Sequence, residues 1–423
     1  MDKETFDGRI LVVANECFSG SSSNGRTMMN LLRGIPAEQL AQFYLHGTPD
    51  TDFCEHYFCV SDKDALCAFL YKKSIKNRND SAKIGSSAPS QKKMIRSCRN
   101  LVLRNIVWMS YRWWNKQFDG FIDGFSPTVV VFQAGDMPFM FAIARRIAQS
   151  RKIPLVLYNS EEYVLKDKLY NGVSKWSLWH RILQSSLKRE YKAMMSIACY
   201  CIYSMEYLEC QYQERYPHPG KSTTLYTVSE MPHLPEIKET SEFHLLYCGN
   251  LGVGRAETLA ETAMVLYEID SRAVLDVYGG FLSKEDEAIV CKNSNVRYGG
   301  VIPYSEIPNR MSRADMVFHC ENNERLYNLR GAFSTKIADS LASGRPFLVY
   351  ASREYPFVQY LERYKSAHIA ETREELIRVL SRCMRDKNYR NQYVNNGIKL
   401  AREKHSVAAN CFRMCEILKE AVK

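Results

Sequence analysis

The sequence predicts an α/β protein in two halves, each a parallel sheet covered by helices. Three observations carry this. Short β-branched, apolar runs alternate with helical stretches along the chain, the pattern of a sheet buried on both faces. The alternation stops at a polar, proline-containing stretch near the middle and then restarts. The 423 residues, 46% hydrophobic and 25% charged, are globular in composition and too many for one ordinary core.

The first strand is RILVVAN, residues 9–15. The Gly/Ser-rich stretch CFSGSSSNGRT follows, then a helix over about 27–33. GSSSNG lacks the G-x-G-x-x-G spacing of a dinucleotide fingerprint. It is either a plain βα turn or a ligand-facing loop, because loops at the carboxyl ends of parallel strands line the crevice of open sheets. Ser23, Asn24 and Gly25 are its candidate contacts. Strand-like runs surround Tyr44 and Phe58, and residues 72–90 mix Lys, Asn, Ser and Gly in the manner of a mobile loop. KKMIRSCRNLVLRNIVWMSYRWW, residues 92–114, interleaves apolar side chains with Arg96, Arg99, Arg104 and Arg112 and predicts a basic amphipathic helix. PTVVVFQ, IPLVLYN and CYCIYS are further strands, with a helix through FMFAIARRIAQSR between the first two.

A linker over 227–241 carries Pro232 and Pro235. The second half then runs HLLYCGN (strand), AETLAETAMVLYEI (helix), AVLDVYG (strand), PYSEIPNRMSRA (short helix) and DMVFHC (strand). In FSTKIADSLASGRPFLVYA, Ser334 or Thr335 caps a helix that runs to Ser343, Gly344 stops it, and PFLVYA is a strand. Long helices fill 373–419.

The formal charge of +10 is local. Residues 71–116 hold 12 Lys/Arg and one Asp, which is 12 − 1 = +11, so the rest of the chain is near neutral. The stretch MDKETFDGRILVVAN is acidic before a short apolar run, unlike a secretory signal, and no run approaches the ~18 apolar residues of a membrane span. The expected place is the cytoplasm, with peripheral attachment to the inner face of the plasma membrane through residues 92–116, including Trp108, Trp113 and Trp114, as one reading of the basic segment and a solvated basic face with its aromatics in the core as the other. No recognition motif accompanies the charge, so nucleic acid is not an expected partner. The fourteen cysteines show no repeated pair spacing, and Cys54, His56 and Cys59 lack a second metal-spaced half, so buried free thiols are expected.

Three stretches of the second half carry candidate chemistry. In YCGNLGVGRAETL a strand ends, a glycine-rich loop follows, and a helix begins near Arg255. Unpaired N–H groups at a helix start attract phosphate, and Arg255 adds a charge-assisted donor. The alternative is a tight turn with a solvated arginine. Gly249, Asn250 and Gly252 belong to this loop. In YGGVIPYSEI, the backbone at Val301 and Ile302 either reads a nucleotide base or simply turns. In FSTKIAD, Lys336 lies in the first turn of a helix, where a cation opposes the helix dipole unless an anion is near. Asp339 follows at i+3 on the same face and suits ribose hydroxyls, with Ser334 and Thr335 at the helix start. The alternative is a surface pair worth ~0.3–0.5 kcal/mol.

Together, GNLGVGRAETL, YGGVIPYSEIPNRMSRADMVF and FSTKIADSLASGRPFLVY resemble family 4 glycosyltransferases of the GT-B fold, nearest to bacterial capsule and exopolysaccharide enzymes. The resemblance covers residues 243–350 well and the first half only by its βα order. It implies two Rossmann-like domains facing a cleft: an acceptor domain over 1–228, a donor domain over 242–402, and a terminal helix over 403–423 that packs back on the first. It implies retaining, metal-independent hexosyl transfer from a uridine diphosphate sugar to a glycan or lipid-linked acceptor, with no cofactor. Arg255 and Lys336 then neutralise the leaving diphosphate, Asp339 stands at the second glutamate of the family's E-x7-E motif, and Ser19–Thr27 close over the phosphates. Two family residues are absent. The first glutamate falls at Gly331, and the His-Asp after the IPLVL-type strand falls at Ser160 and Glu161. Glu161 and Glu162 are candidates for acceptor or sugar contact, or acids near a helix start. The competing functions are a degenerate nucleotide-binding subunit supporting a partner transferase and a nucleotide-sugar epimerase.

Overall fold

The computed structural model describes residues 6–20, 22–71, 97–165, 177–235, 241–322 and 330–423. They divide into two compact units, Met1–Tyr226 with Asn410–Lys423 and Thr227–Ala409.

The first unit is built on seven parallel strands: β1 Ile10–Val13, β2 Leu40–Tyr44, β3 His56–Cys59, β4 Val129–Gln133, β5 Leu155–Asn159, β6 Tyr200–Tyr203 and β7 Lys221–Thr224. Their order is β3-β2-β1-β4-β5-β6-β7. β1, β2, β4, β5 and β6 are buried at every position, which is why they read as unbroken apolar runs. The helices are α1 Ser23–Leu32, α2 Asp62–Tyr71, α3 Cys98–Met109, α4 Lys116–Phe125, α5 Pro138–Arg151, α6 Leu178–Met195 and α7 Glu206–Arg215. β7, KSTT, is half-exposed at the sheet edge, and its polar composition hid it from the sequence reading.

The second unit has six parallel strands: β8 His244–Cys248, β9 Val274–Tyr278, β10 Val296–Tyr298, β11 Met316–Cys320, β12 Phe347–Tyr350 and β13 His368–Ala370, ordered β10-β9-β8-β11-β12-β13. Numbered from β8, this is the 3-2-1-4-5-6 order of a Rossmann sheet, and the first six strands of the other sheet repeat it. The helices are α8 Arg255–Ile269, α9 Lys284–Cys291, α10 Ile307–Met311, α11 Thr335–Ala342, α12 Pro356–Arg363, α13 Arg373–Arg385, α14 Lys387–Asn391 and α15 Val394–Lys404. The last helix, α16 Val407–Ala421, returns the chain to the first unit. There Met414, Ile417 and Leu418 share a core with Phe6, Met28 and Leu31.

The structure bears on the sequence readings of the basic segment and of the first helix. The basic helix is α3, within the predicted 92–114 (Lys92–Arg96 lie outside the described residues), and its aromatic neighbours are not on a surface. Trp108 stacks on Phe139 at 4.8 Å between ring centroids, and Trp113 stacks on Phe43 at 5.5 Å. Both are buried, and the half-buried Trp114 donates its indole N–H to Asp119 Oδ1 at 3.0 Å. Large rings next to an apolar sheet gain more from the core than from water. The expected mobile loop at 72–90 lies outside the described residues. The first helix also starts earlier than predicted, because Ser22 caps it: the Ser22 hydroxyl accepts the Gly25 N–H at 3.0 Å.

All fourteen cysteines are unpaired. Cys54 is wholly buried, donates its thiol to the Leu40 carbonyl at 3.2 Å, and has its pKa pushed up to about 12 by burial. Among the described residues no group of three or more His, Cys, Asp or Glu is placed to hold a metal.

Candidate functional site

In an open Rossmann sheet the ligand crevice lies beyond the carboxyl ends of the strands where the order reverses. In the second unit that point falls between β8 and β11, which pair through Leu245 and Leu246. The loop after β8 holds Gly249, Asn250, Gly252 and Arg255. The residue after β11 is Glu321. Lys336 arrives from the first turn of α11.

The β8 loop is fixed by backbone geometry. Gly249 has φ +148°, and a Cβ on it would fall 2.3 Å from Lys336 Cδ. Its N–H bonds the Tyr278 carbonyl at 2.7 Å, so the loops after β8 and β9 run in contact. Gly279, at φ +146°, permits this: a Cβ there would lie 1.8 Å from the Gly249 carbonyl oxygen. Asn250 Oδ1 accepts the Gly252 N–H at 2.8 Å. The loop ends in Gly254 at φ +78°, the N-cap of α8, which has no side-chain cap.

Arg255 opens α8 and turns inward. Its Nε donates to the Cys320 carbonyl at 3.3 Å, and its Nη1 reaches the carbonyls of Asn250 at 3.3 Å and Gly252 at 3.4 Å. Its Nη2 pairs with Glu321 Oε1 at 2.5 Å, both side chains being buried. The sequence reading offered a phosphate ligand or a solvated arginine. The guanidinium is neither solvated nor pointed outward; it ties the β8 loop to the end of β11. Burial opposes the Glu321 charge, but the paired Arg255 guanidinium outweighs it and holds the pKa below the usual carboxylate range. Burial also lowers the pKa of His319, whose Nε2 lies 3.1 Å from Glu321 Oε1. The imidazole is therefore neutral at pH 7, and Arg255 supplies the balancing charge. Glu321 Oε2 and both His319 ring nitrogens lack a hydrogen-bond partner among the described residues.

Lys336 stands differently. Its Nζ donates to Tyr247 Oη at 3.0 Å and sits 4.8 Å from the centre of that ring. Among the described residues it has no ion-pair partner. Burial, with the nearby Arg255 charge, lowers its pKa to about 8. Its helix begins at Ser334 with no side-chain cap, and Thr335 is the first helical residue. Two uncapped helix starts and one unpaired ammonium thus converge on the loop after β8, an arrangement that suits an anion.

The remaining predicted contacts are placed as follows. Asp339 is buried, and its Oδ1 accepts hydroxyl bonds from Ser229 at 2.6 Å and Tyr304 at 2.8 Å. The loop after β10 hooks onto the loop after β9 through the Gly279 N–H and the Gly300 carbonyl at 2.8 Å. Val301 is 78% exposed there and Ile302 is half-buried.

Glu161, Ser23, Asn24 and Gly25 belong to the first unit, at the carboxyl ends of its strands. Ser23, Asn24 and Gly25 form the first turn of α1 rather than a free loop. Gly25 packs so closely that a Cβ would meet the Cys17 carbonyl at 2.4 Å. Half-buried Glu161 follows β5, and Tyr212 Oη donates to its carbonyl at 3.0 Å. Sequence reasoning missed Tyr247, His319 and Glu321. The signal was present in strand order: the ends of the first and fourth strands of a Rossmann sheet flank its crevice.

A family model described as glycosyl transferase-like matches residues 258–416. No curated protein matches in sequence. Among solved structures, sucrose-phosphate synthase from Thermosynechococcus elongatus aligns over 98% of both chains with TM-score 0.63 and 12% identity. HepE from Anabaena, solved in complex with UDP, aligns over 97% of this chain and all of its own with TM-score 0.64 and 10% identity. WaaG, a glycosyltransferase involved in lipopolysaccharide biosynthesis, aligns over 97% of this chain and 99% of its own with TM-score 0.58 and 14% identity. The chain has the GT-B fold. Its two Rossmann-like domains are the two units described above, and no helix among the described residues is long and apolar enough to cross a membrane.

Proposed function

We propose that the protein is a glycosyltransferase that moves a hexosyl group from a uridine diphosphate sugar to a hydroxyl of a glycan or lipid-linked acceptor, with retention at the anomeric carbon and without a metal ion. One observation carries the reading: the unpaired Lys336 ammonium between two uncapped helix starts. Breaking the bond between sugar and phosphate builds negative charge on the departing diphosphate. Lys336 adds one positive charge, Arg255 and Glu321 cancel, and each helix start adds about half a charge. The sum, about +2, approaches what a divalent cation brings and supports a metal-free reaction. Arg255 serves this site by holding the β8 loop, in which the Gly249 and Gly252 N–H groups are bonded to the Tyr278 carbonyl and Asn250 Oδ1; Gly249, Asn250 and Gly252 shape the approach, and the uncapped start of α8 offers the N–H groups. Val301 and Ile302 take the base. Asp339 reaches the ribose by exchanging one of its hydroxyl donors for a sugar hydroxyl. The glycosyl transferase-like match favours transfer over other chemistry of the fold. HepE, solved with UDP-glucose, favours uridine as the nucleotide.

A second reading, a non-catalytic nucleotide-binding subunit, is favoured by Gly331 in place of the motif's first glutamate. Acceptor-dependent release of UDP from a panel of UDP-sugars tests both. The expected outcome is turnover by the wild type, a fall of about a hundredfold or more in Lys336→Ala with its circular dichroism unchanged, and a product that keeps the anomeric configuration of the donor. Wild-type turnover in Lys336→Ala contradicts the role given to that residue. UDP binding with no turnover favours the subunit, and a changed sugar without transfer marks an epimerase.

A further inference from the structure

In the first unit, α2 and α6 pack on either side of α3. Fourteen large hydrophobic side chains are exposed among the described residues, and eight of them lie on these three helices. Such clustering needs an explanation that scattered surface leucines do not.

Helix geometry gathers the side chains into one patch. On α3, Arg99, Leu103 and Ile106 recur at spacings of four and three, one stripe of the helix, and all three are exposed. The opposite side carries the buried Leu101 and Trp108. Arg104 and Trp108 bond Asp62 of α2 on one flank, at 2.7 and 2.8 Å, and Asn105 meets Ser186 of α6 on the other, at 3.5 Å. On α2, Leu66 and Leu70 follow Asp62 at i+4 and i+8, so they lie on the flank turned toward α3. On α6, Ile182 precedes Ser186 by four residues, and Leu178 precedes Ile182 by four, so they too border α3, with Trp179 beside them. The apolar stripes of α2 and α6 thus adjoin the stripe of α3.

The rim is positive. α3 contains no acid, the only acid of α6, Glu190, is buried and paired with Arg145 at 2.8 Å, and of the two acids of α2, Asp62 is paired with Arg104 at 2.7 Å and Asp64 accepts the Ser61 N–H at 3.0 Å. Lys63, Arg99, Arg181, Lys188 and Lys192 are exposed. A self-complementary contact with a second copy would set these charges against their own images. The 26 residues between α2 and α3 carry eight Lys/Arg and one Asp and few large apolar side chains, a composition ill suited to covering leucine and isoleucine.

We propose that this three-helix face docks on an anionic lipid bilayer, with Leu66, Leu70, Leu103, Ile106, Leu178 and Ile182 entering the acyl boundary and the basic rim meeting lipid phosphate. The buried Trp108 and Trp113, which the membrane reading of residues 92–116 included, take no part in this face.

Co-sedimentation of the full chain with phosphatidylglycerol–phosphatidylcholine vesicles, and with pure phosphatidylcholine vesicles, tests it. The expected result is binding to the anionic vesicles that weakens in salt, and about a tenfold loss in the double variant Leu103→Glu/Ile106→Glu. The pair Arg99→Gln/Arg181→Gln is the second probe, expected to weaken binding to anionic vesicles only. All four side chains are on the surface, and an unchanged melting temperature verifies folding. A wild type that stays in the supernatant with anionic vesicles overturns the proposal. So does wild-type binding by both double variants, or a dimer that Leu103→Glu/Ile106→Glu splits.

Discussion

Lys336 sets the chemistry at the scale of single residues. Burial and the Arg255 charge bring its pKa down to about 8, so the ammonium dominates below that pH and the amine above it. If the ammonium meets the developing diphosphate charge, kcat/KM should stay level below pH ~8 and fall above it, because kcat/KM reports the free enzyme. A bound diphosphate favours the ammonium, so the same limb in kcat should lie at higher pH. Lys336→Arg keeps a permanent charge and should remove the alkaline limb at a reduced rate. pH–rate profiles of the two forms check this. An alkaline limb that persists in the arginine variant assigns the ionisation to another group. Arg255 shows the opposite behaviour. Nearly equal cations in the sequence, one is neutralised by Glu321 and the other is left unpaired, and only the neighbours that folding supplies distinguish them.

The elements that hold these residues differ in how plainly the sequence announces them. Strands β1, β4 and β5 read directly, because burial on both faces demands unbroken apolar runs. α11 read directly too, from Ser334 at its start and Gly344 at φ +73° after its end. β13, only three residues long, carries too short a pattern to stand out, and β7 is polar at an edge. Of the site, the glycine loop and Lys336 were visible as local patterns. Tyr247 and Glu321 were not, because their meeting depends on β11 pairing with β8 across 71 residues of chain, as His244 and Asp315 show. The contact between the β8 and β9 loops gives a test at this scale. Gly279→Ala must move the Gly249 carbonyl away and strain a left-handed backbone, at a cost of ~2–4 kcal/mol. Denaturant unfolding should show that loss together with weakened UDP binding. Stability and binding equal to wild type would mean that the two loops do not touch.

For the whole molecule, the path of the chain matters as much as its two sheets. It enters the second unit at Thr227 and returns to the first at Asn410. His405 lies shortly before the return, buried, with Nδ1 2.7 Å from the Thr227 carbonyl and Nε2 3.0 Å from Tyr360 Oη. Burial lowers its pKa from 6.5 to about 4. The unfolded chain therefore takes up this proton before the folded one does. Stability from this residue is complete above pH ~6.5 and is lost as the pH falls toward 4, by at most about 3 kcal/mol. Melting temperatures across that range should fall for the wild type and fall less for His405→Gln. Equal acid sensitivity in the two would assign it to other groups.

The central claim is that the loop after β8 and the start of α11 hold a nucleoside diphosphate. Thermal unfolding of wild type and Lys336→Ala with UDP, GDP, ADP and TDP tests it most directly. At a hundred times its dissociation constant a ligand adds about 2.7 kcal/mol, which moves the midpoint by several degrees for a domain of this size. The expected result is a shift with UDP that shrinks in Lys336→Ala. A shift with another nucleotide alone keeps the site and changes the donor. The absence of any shift with all four nucleotides would contradict the claim.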